Sequence, residues 1–192
     1  MKTIHFKIRG LTPLLMHADV GLDPFHPLSV EIREITAKGT KKRTEQDQKR
    51  LAFLEWQQGL YWSEELRGPY IPARNLHTAL RDGARLQRAG KDVVRYVIVE
   101  PDEIRLDYQP NGQESPLKLY AAGFHDLRGA RTSGGGKVLR SRPLFNRWGM
   151  EVDVHYDEDH IKTESVRQSL AAAGKYCGIG DYRPYFGRFE VV

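Results

Sequence analysis

Two arginines and three aromatic rings fall between Tyr182 and Arg188. They sit in the run Gly178-Ile179-Gly180-Asp181-Tyr182-Arg183-Pro184-Tyr185-Phe186-Gly187-Arg188-Phe189-Glu190-Val191-Val192. A guanidinium offers paired donors to a phosphate and a flat face to a base. A tyrosine ring offers a stacking platform worth about 1–3 kcal/mol per base. Glycines that tolerate positive φ turn the backbone and bare its N–H groups toward an anion. The chemistry is that of holding a phosphate backbone and its bases, and Gly178, Gly180, Tyr182, Arg183 and Arg188 are expected to perform it. Tyr182 is the expected platform and Phe186 a core residue, with Tyr185 a further candidate ring. An ordinary surface arrangement stays open, with the arginines solvated and paired to Asp181 or Glu190.

A second concentration of charge lies in 123–147, which carries Arg128, Arg131, Lys137, Arg140, Arg142 and Arg147 against Asp126 as its only acid. Gly134-Gly135-Gly136 interrupts it, and three glycines in a row predict a mobile basic loop or hairpin. Such a segment suits embracing a strand, with affinity that falls steeply as salt rises. Arg74, Arg81 and Arg85 form a further basic stripe. His17, Asp19, Asp23 and His26 gather titratable groups in the first loop. No phosphate-binding P-loop, nucleophile motif or His-Glu-x-x-His appears, and His155 and His160 lack a metal-ligand spacing, so neither metal nor cofactor is expected.

Thirty Lys and Arg against 25 Asp and Glu give a net charge of +5, a bias compatible with a polyanionic partner. The lone Cys177 excludes an internal disulfide and a cysteine-based zinc site, and suits a reducing cytoplasm. Residues 1–8 alternate rather than forming the apolar core of a signal peptide. No stretch reaches the roughly 20 apolar residues of a membrane span. A soluble cytoplasmic protein with no membrane partner is therefore expected.

These groups need elements to position them. Ile4, Phe6 and Ile8 alternate with polar residues as in a half-buried strand. Residues 18–66 look inserted: Ser29–Ile35 alternates like an exposed hairpin strand, and Thr44 caps a helix reaching about Gln58. Tyr70–Pro72 is extended. Leu76, Ala79, Leu80, Gly83 and Leu86 then form an amphipathic stripe that Gly90 ends. Strands are predicted at Val93–Val99, Ile104–Tyr108, Leu117–Tyr120 and Met150–Tyr156. Thr163 is expected to cap a helix running to about Ala173, and the terminal run closes as a strand. The order β-α-β-β-α-β predicts an α+β domain with a ferredoxin-like, RRM-like antiparallel sheet and two main helices over residues 1–192, with insertions at 18–66 and 123–147.

The phrase Gly68-Pro69-Tyr70-Ile71-Pro72-Ala73-Arg74-Asn75-Leu76-His77-Thr78-Ala79-Leu80-Arg81 resembles a signature of the RAMP superfamily, the repeat-associated mysterious proteins of CRISPR effector complexes. The glycine-rich run 178–189 resembles that superfamily's C-terminal loop, and Leu11-Thr12-Pro13-Leu14 is similar to the start of many members. Ala73-Arg74-Asn75 departs from the usual Gly-Ser-Ser. The resemblance implies an RRM-like fold, binding of guide or target RNA, assembly along that RNA, and a thumb-like hairpin, for which 123–147 is the matching segment. A diverged stand-alone or phage-borne member fits the compact length. In endoribonuclease members a histidine acts as general base on a ribose 2′-hydroxyl, which implies that role for His17. Asp19 resembles the cleavage aspartate of target-cutting members.

The reading that follows is a non-catalytic nucleic-acid binder, RNA before single-stranded DNA, whose ligands are Arg74, Arg81, Arg128, Arg131, Lys137, Arg140, Arg142 and the C-terminal loop. Its partners would be the strand, further copies of itself, or other CRISPR-type subunits. The alternatives are a metal-independent endoribonuclease using His17, and an assembly protein that forms a homo-oligomer through its basic loop.

Overall fold

The computed structural model describes residues 1–131, 135 and 137–192, with the backbone alone at 130, 131 and 137. In chain order the elements are β1 (Lys2–Gly10), β2 (Leu14–Leu15), α1 (Pro27–Ala37), α2 (Glu45–Gln58), β3 (Trp62–Ser63), β4 (Gly68–Pro72) and α3 (Ala73–Arg85). They continue through α4 (Gly90–Tyr96), β5 (Val97–Glu100), β6 (Glu103–Arg105), β7 (Asp107–Tyr108), α5 (Pro116–Ala121) and β8 (His125–Arg131). The last are β9 (Lys137–Phe145), β10 (Trp148–Tyr156), α6 (Thr163–Ala172) and β11 (Phe189–Val191). The protein is α+β with antiparallel sheets. Contacts divide it into two units, one of residues 1–15, 62–112 and 145–192, the other of residues 16–61 and 113–144.

In the first unit, alternation along β1 and β10 produces a sheet ordered β11-β1-β10-β5, with β7 also paired to β10. Every pairing is antiparallel, and Lys2 lies opposite Tyr156 while Phe6 lies opposite Val152. Ile4, Phe6, Ile8, Met150, Val152 and Val154 are buried on one face. The helices cover that face: the α6 guanidinium of Arg167 stands 5.6 Å from the centre of the Phe6 ring. The stripe of α3 buries Leu76, Ala79, Leu80 and Gly83, and burying each leucine contributes about 1.5–3 kcal/mol. A Cβ on Gly83 would lie 2.2 Å from the Ser169 carbonyl oxygen, so α3 and α6 approach at a point where only glycine fits. Strands β3, β4 and β6 form a small separate sheet in that order.

The opposite face of the main sheet is a ladder of polar cross-strand pairs. Thr3 meets His155 at 2.8 Å, His5 meets Asp153 at 2.9 Å, Lys7 meets Glu151 at 3.1 Å, and Arg9 donates to Glu190 at 2.7 Å. The cations Lys7 and Arg9 are each paired and are outnumbered by carboxylates, and the strand residues facing this way include no Phe, Tyr or Trp.

The second unit packs α1 and α2 with α5 and the β8–β9 hairpin. Thr44 and Asp47 form a reciprocal capping box at the start of α2. Trp56 is fully buried, donates to the Phe124 carbonyl at 2.7 Å, and meets Tyr120 edge-on. Arg50 forks onto Glu31 at 2.7 and 2.8 Å, joining α2 to α1. The basic segment is a hairpin in register from His125–Pro143 to Arg131–Lys137. Residues 134 and 136 of the glycine triplet lie outside the described residues.

Several expectations are corrected. Residues 29–35 belong to helix α1, because Pro27 occupies the first turn, the His26 ring caps it, and Leu28, Ile32 and Ile35 recur at helical spacing. Leu117–Tyr120 lies in helix α5, started by the Ser115 cap and Pro116. The run from Val93 is divided: Val93–Tyr96 completes α4 and only Val97–Glu100 is strand. Helix α3 ends at Arg85, so Leu86 falls outside its buried stripe and is exposed, and Gly90 opens α4. Thr163 is the first residue of α6 and not its cap, its hydroxyl being bonded to the Tyr156 hydroxyl.

Candidate nucleic-acid interface

The Leu11–Leu15 segment and the C-terminal run, far apart in sequence, are bound to each other in the first unit. The Asp181 N–H donates to the Leu15 carbonyl and the Gly187 N–H to the Pro13 carbonyl, both at 2.8 Å. The Arg188 N–H donates to Thr12 Oγ1 at 2.9 Å, while the Arg188 carbonyl accepts from Leu11 and Thr12. Gly178 and Gly180 hold positive φ as the sequence requires. At Gly187, with φ +71°, a Cβ would lie 1.8 Å from the Ile179 carbonyl oxygen. The loop is thus a fixed backbone path that cannot accept a side chain at that point.

Side chains leave this path in a defined pattern. Tyr182, itself at φ +54°, is 42% exposed, and Tyr185 is 84% exposed. Phe186 is half-buried, and Phe189 fills the core. Arg183 reaches back over the loop, donating to the Gly178 carbonyl at 3.5 Å and lying 3.8 Å from Asp82. Asp82 also accepts from Arg81 at 2.9 Å and from Arg85 at 3.1 Å. One carboxylate therefore holds three guanidinium groups, and one of the three, Arg183, lies in the loop segment that carries the two exposed tyrosines. Arg188 is exposed with no ion-pair partner among the described residues, since Glu190 is engaged by Arg9. Arg74 lies exposed in the first turn of α3. Burial pushes the Cys177 thiol up; the nearby Asp82 adds to this and Arg183 opposes it.

The second unit holds the remaining candidates. Arg128 stands opposite Arg140 in the hairpin and Asp126 opposite Arg142. Like charges directly opposite destabilise a ladder; here Arg128 bonds Asp126 at 2.7 Å and Arg140 bonds Glu55 of α2. The side chains of Arg131 and Lys137 lie outside the described residues. His17 and Asp19 are exposed and line a cleft of about 390 Å³ with Glu55, Arg140, Ser141 and Arg142. The Ala18 N–H, donating to the Gly59 carbonyl at 2.9 Å, ties that loop to the end of α2.

Sequence reasoning named the arginines and rings but missed three residues that organise them. Asp82 is signalled only by its place between Arg81 and Arg85. Glu55 and Ser141 carry no signal, since their contact joins positions far apart in the chain. Among the described residues no group of His, Cys, Asp and Glu is placed to hold a metal, and no helix is long and apolar enough to cross a membrane.

No family model matches the chain, and no curated protein matches it. Among solved structures, that of Cmr6 from Pyrococcus furiosus is similar at 12% sequence identity and a TM-score of 0.36, over 100% of this chain and 98% of that one.

Proposed function

We propose that the chain binds single-stranded nucleic acid, RNA before DNA, on its C-terminal glycine loop. The observation that carries this reading is the Asp82 cluster, in which Arg81, Arg85 and Arg183 converge, Arg183 belonging to the same loop as the exposed Tyr182 and Tyr185. Guanidinium groups in excess of carboxylate supply phosphate contacts, and the rings supply base stacking. The preference for RNA follows the motif resemblance. The order of β1, α3, β5, β10, α6 and β11 is read as a ferredoxin-like core on one domain, and the hairpin of the second unit as a basic contact of its own for nucleic acid. The strand would lie on the loop and not on the sheet, whose open face carries more carboxylates than cations and no Phe, Tyr or Trp. Further copies, or other subunits, would then line up along the strand.

Fluorescence anisotropy with labelled single-stranded RNA at two salt concentrations tests this. Binding that weakens steeply with salt and drops in the Arg81→Ala/Arg183→Ala double variant is expected. No retention at low salt, or retention indifferent to that double change, rejects it. A strand-cleaving reading is favoured by one observation, that His17 and Asp19 share a cleft with Arg140. It expects RNA cleavage in the presence of a chelator, abolished by His17→Ala; intact RNA removes it.

A further inference from the structure

The cleft of the second unit has features that the loop does not share. Its lining includes Glu55, Gln58, Arg140 and Ser141, with Gly59 and Leu22 completing apolar parts of the wall. A volume of about 390 Å³ lies within the range of about 300–1,000 Å³ that small-molecule sites occupy. Ser141 is 2% exposed, and its hydroxyl has no hydrogen-bond partner among the described residues. A buried hydroxyl left unsatisfied costs about 1–3 kcal/mol, and a group in the cleft that the Ser141 side chain turns to meet would satisfy it. The Glu55 carboxylate is also largely buried. One of its oxygens holds Arg140, while the other accepts, among the described residues, only a long 3.4 Å contact from the Ser141 N–H and keeps capacity for a further donor.

Charge decides which chemistry fits. The arginines of the cleft are matched by Glu55 and Asp19, so the wall is close to neutral and offers a phosphate no net attraction. A neutral, planar group with donors and acceptors on its edge fits better. We propose that this cleft is a nucleoside pocket, in which Glu55 accepts from an exocyclic amino group, Ser141 Oγ bonds the same edge, and the half-exposed Arg140 guanidinium packs on the base. The pocket prefers cytosine to uracil, because N4 of cytosine donates to a carboxylate while O4 of uracil faces it as a second acceptor. As a site for a base extruded from a bound strand this rests on the strand-binding reading; as a site for a free nucleoside it does not.

Saturation-transfer NMR on the full chain with cytidine and with uridine is the test. Cytidine is expected to bind about tenfold tighter than uridine, with the ratio falling close to one in Glu55→Gln and binding weakened in Ser141→Ala. Equal binding, no binding, or a ratio unchanged in a folded Glu55→Gln protein overturns the pocket. If Glu55→Gln fails to fold, the wild-type ratio and Ser141→Ala decide. Displacement of cytidine by oligo(C) but not by oligo(U) identifies the occupant as a base of the strand, and cytidine bound but not displaced identifies a free nucleoside. Strand binding without cytidine binding rejects the pocket alone. Cytidine binding without strand binding rejects the strand reading alone.

Discussion

Asp82 shows how one residue changes the meaning of its neighbours. Without it, Arg81, Arg85 and Arg183 would repel one another at the mouth of the loop; with it, they are held close while keeping an excess of positive charge. Tyr185 contributes nothing to the core, being 84% exposed, so Tyr185→Ala should leave the melting temperature unchanged. The same change should weaken RNA binding by about 1–3 kcal/mol if the ring stacks a base, as read by anisotropy. Cys177 is a built-in reporter of the cluster. The Arg183 guanidinium favours its thiolate, so Arg183→Ala should raise the thiol further and lower the thiolate fraction. Alkylation near pH 8 should then slow, and a rate that stays the same or rises would place Arg183 elsewhere in solution.

Elements were legible where their signal is local. The strands β1 and β10, the stripe of α3 from Leu76 to Gly83 and the Thr44 cap of α2 are each written in one short window, and each forms there. Misreadings occurred where two periods compete: Val30 and Ile32 alternate like a strand, but Leu28, Ile32 and Ile35 also fit a helix, and Pro27 decides between them. The bonding of Leu11–Leu15 to the C-terminal loop was not legible from spacing, because it depends on how β11 pairs with β1. Thr44→Ala should cost about 1 kcal/mol, a fall in melting temperature of about 2–4 °C for a chain this long. Asp47 gives that cap a pH dependence. Its hydrogen bond from Lys38, and then that from the Thr44 N–H, hold its carboxyl below the usual aspartate range. Its stabilisation is therefore complete above the unfolded-state value and is lost as pH falls through the lower folded one. The stability difference between wild type and Asp47→Asn should accordingly shrink in acid. Gly187→Ala should disorder the loop, with loss of RNA binding, since both φ and the Ile179 carbonyl oppose a side chain there.

At the scale of the whole molecule, the net charge of +5 is unevenly used. The open sheet face consumes its cations in cross-strand pairs, whereas the loop and Arg188 retain theirs. Each arginine that touches a phosphate of a single strand contributes about 0.7 to the slope of log affinity against log salt. The Arg81→Ala/Arg183→Ala variant should lose about that much per residue, and an Arg140→Ala change should add a further loss if the hairpin touches the same strand. A slope unaffected by Arg140→Ala would confine the strand to the loop. The register that sets Lys2 against Tyr156 has a consequence for biosynthesis. At about 5–20 residues per second, roughly seven to thirty seconds separate the emergence of the first strand from that of its central partner. During that interval Ile4, Phe6 and Ile8 lack both β10 and the covering helix α6, so nascent chains halted before Trp148 should be protease-sensitive at their amino end and attractive to chaperones.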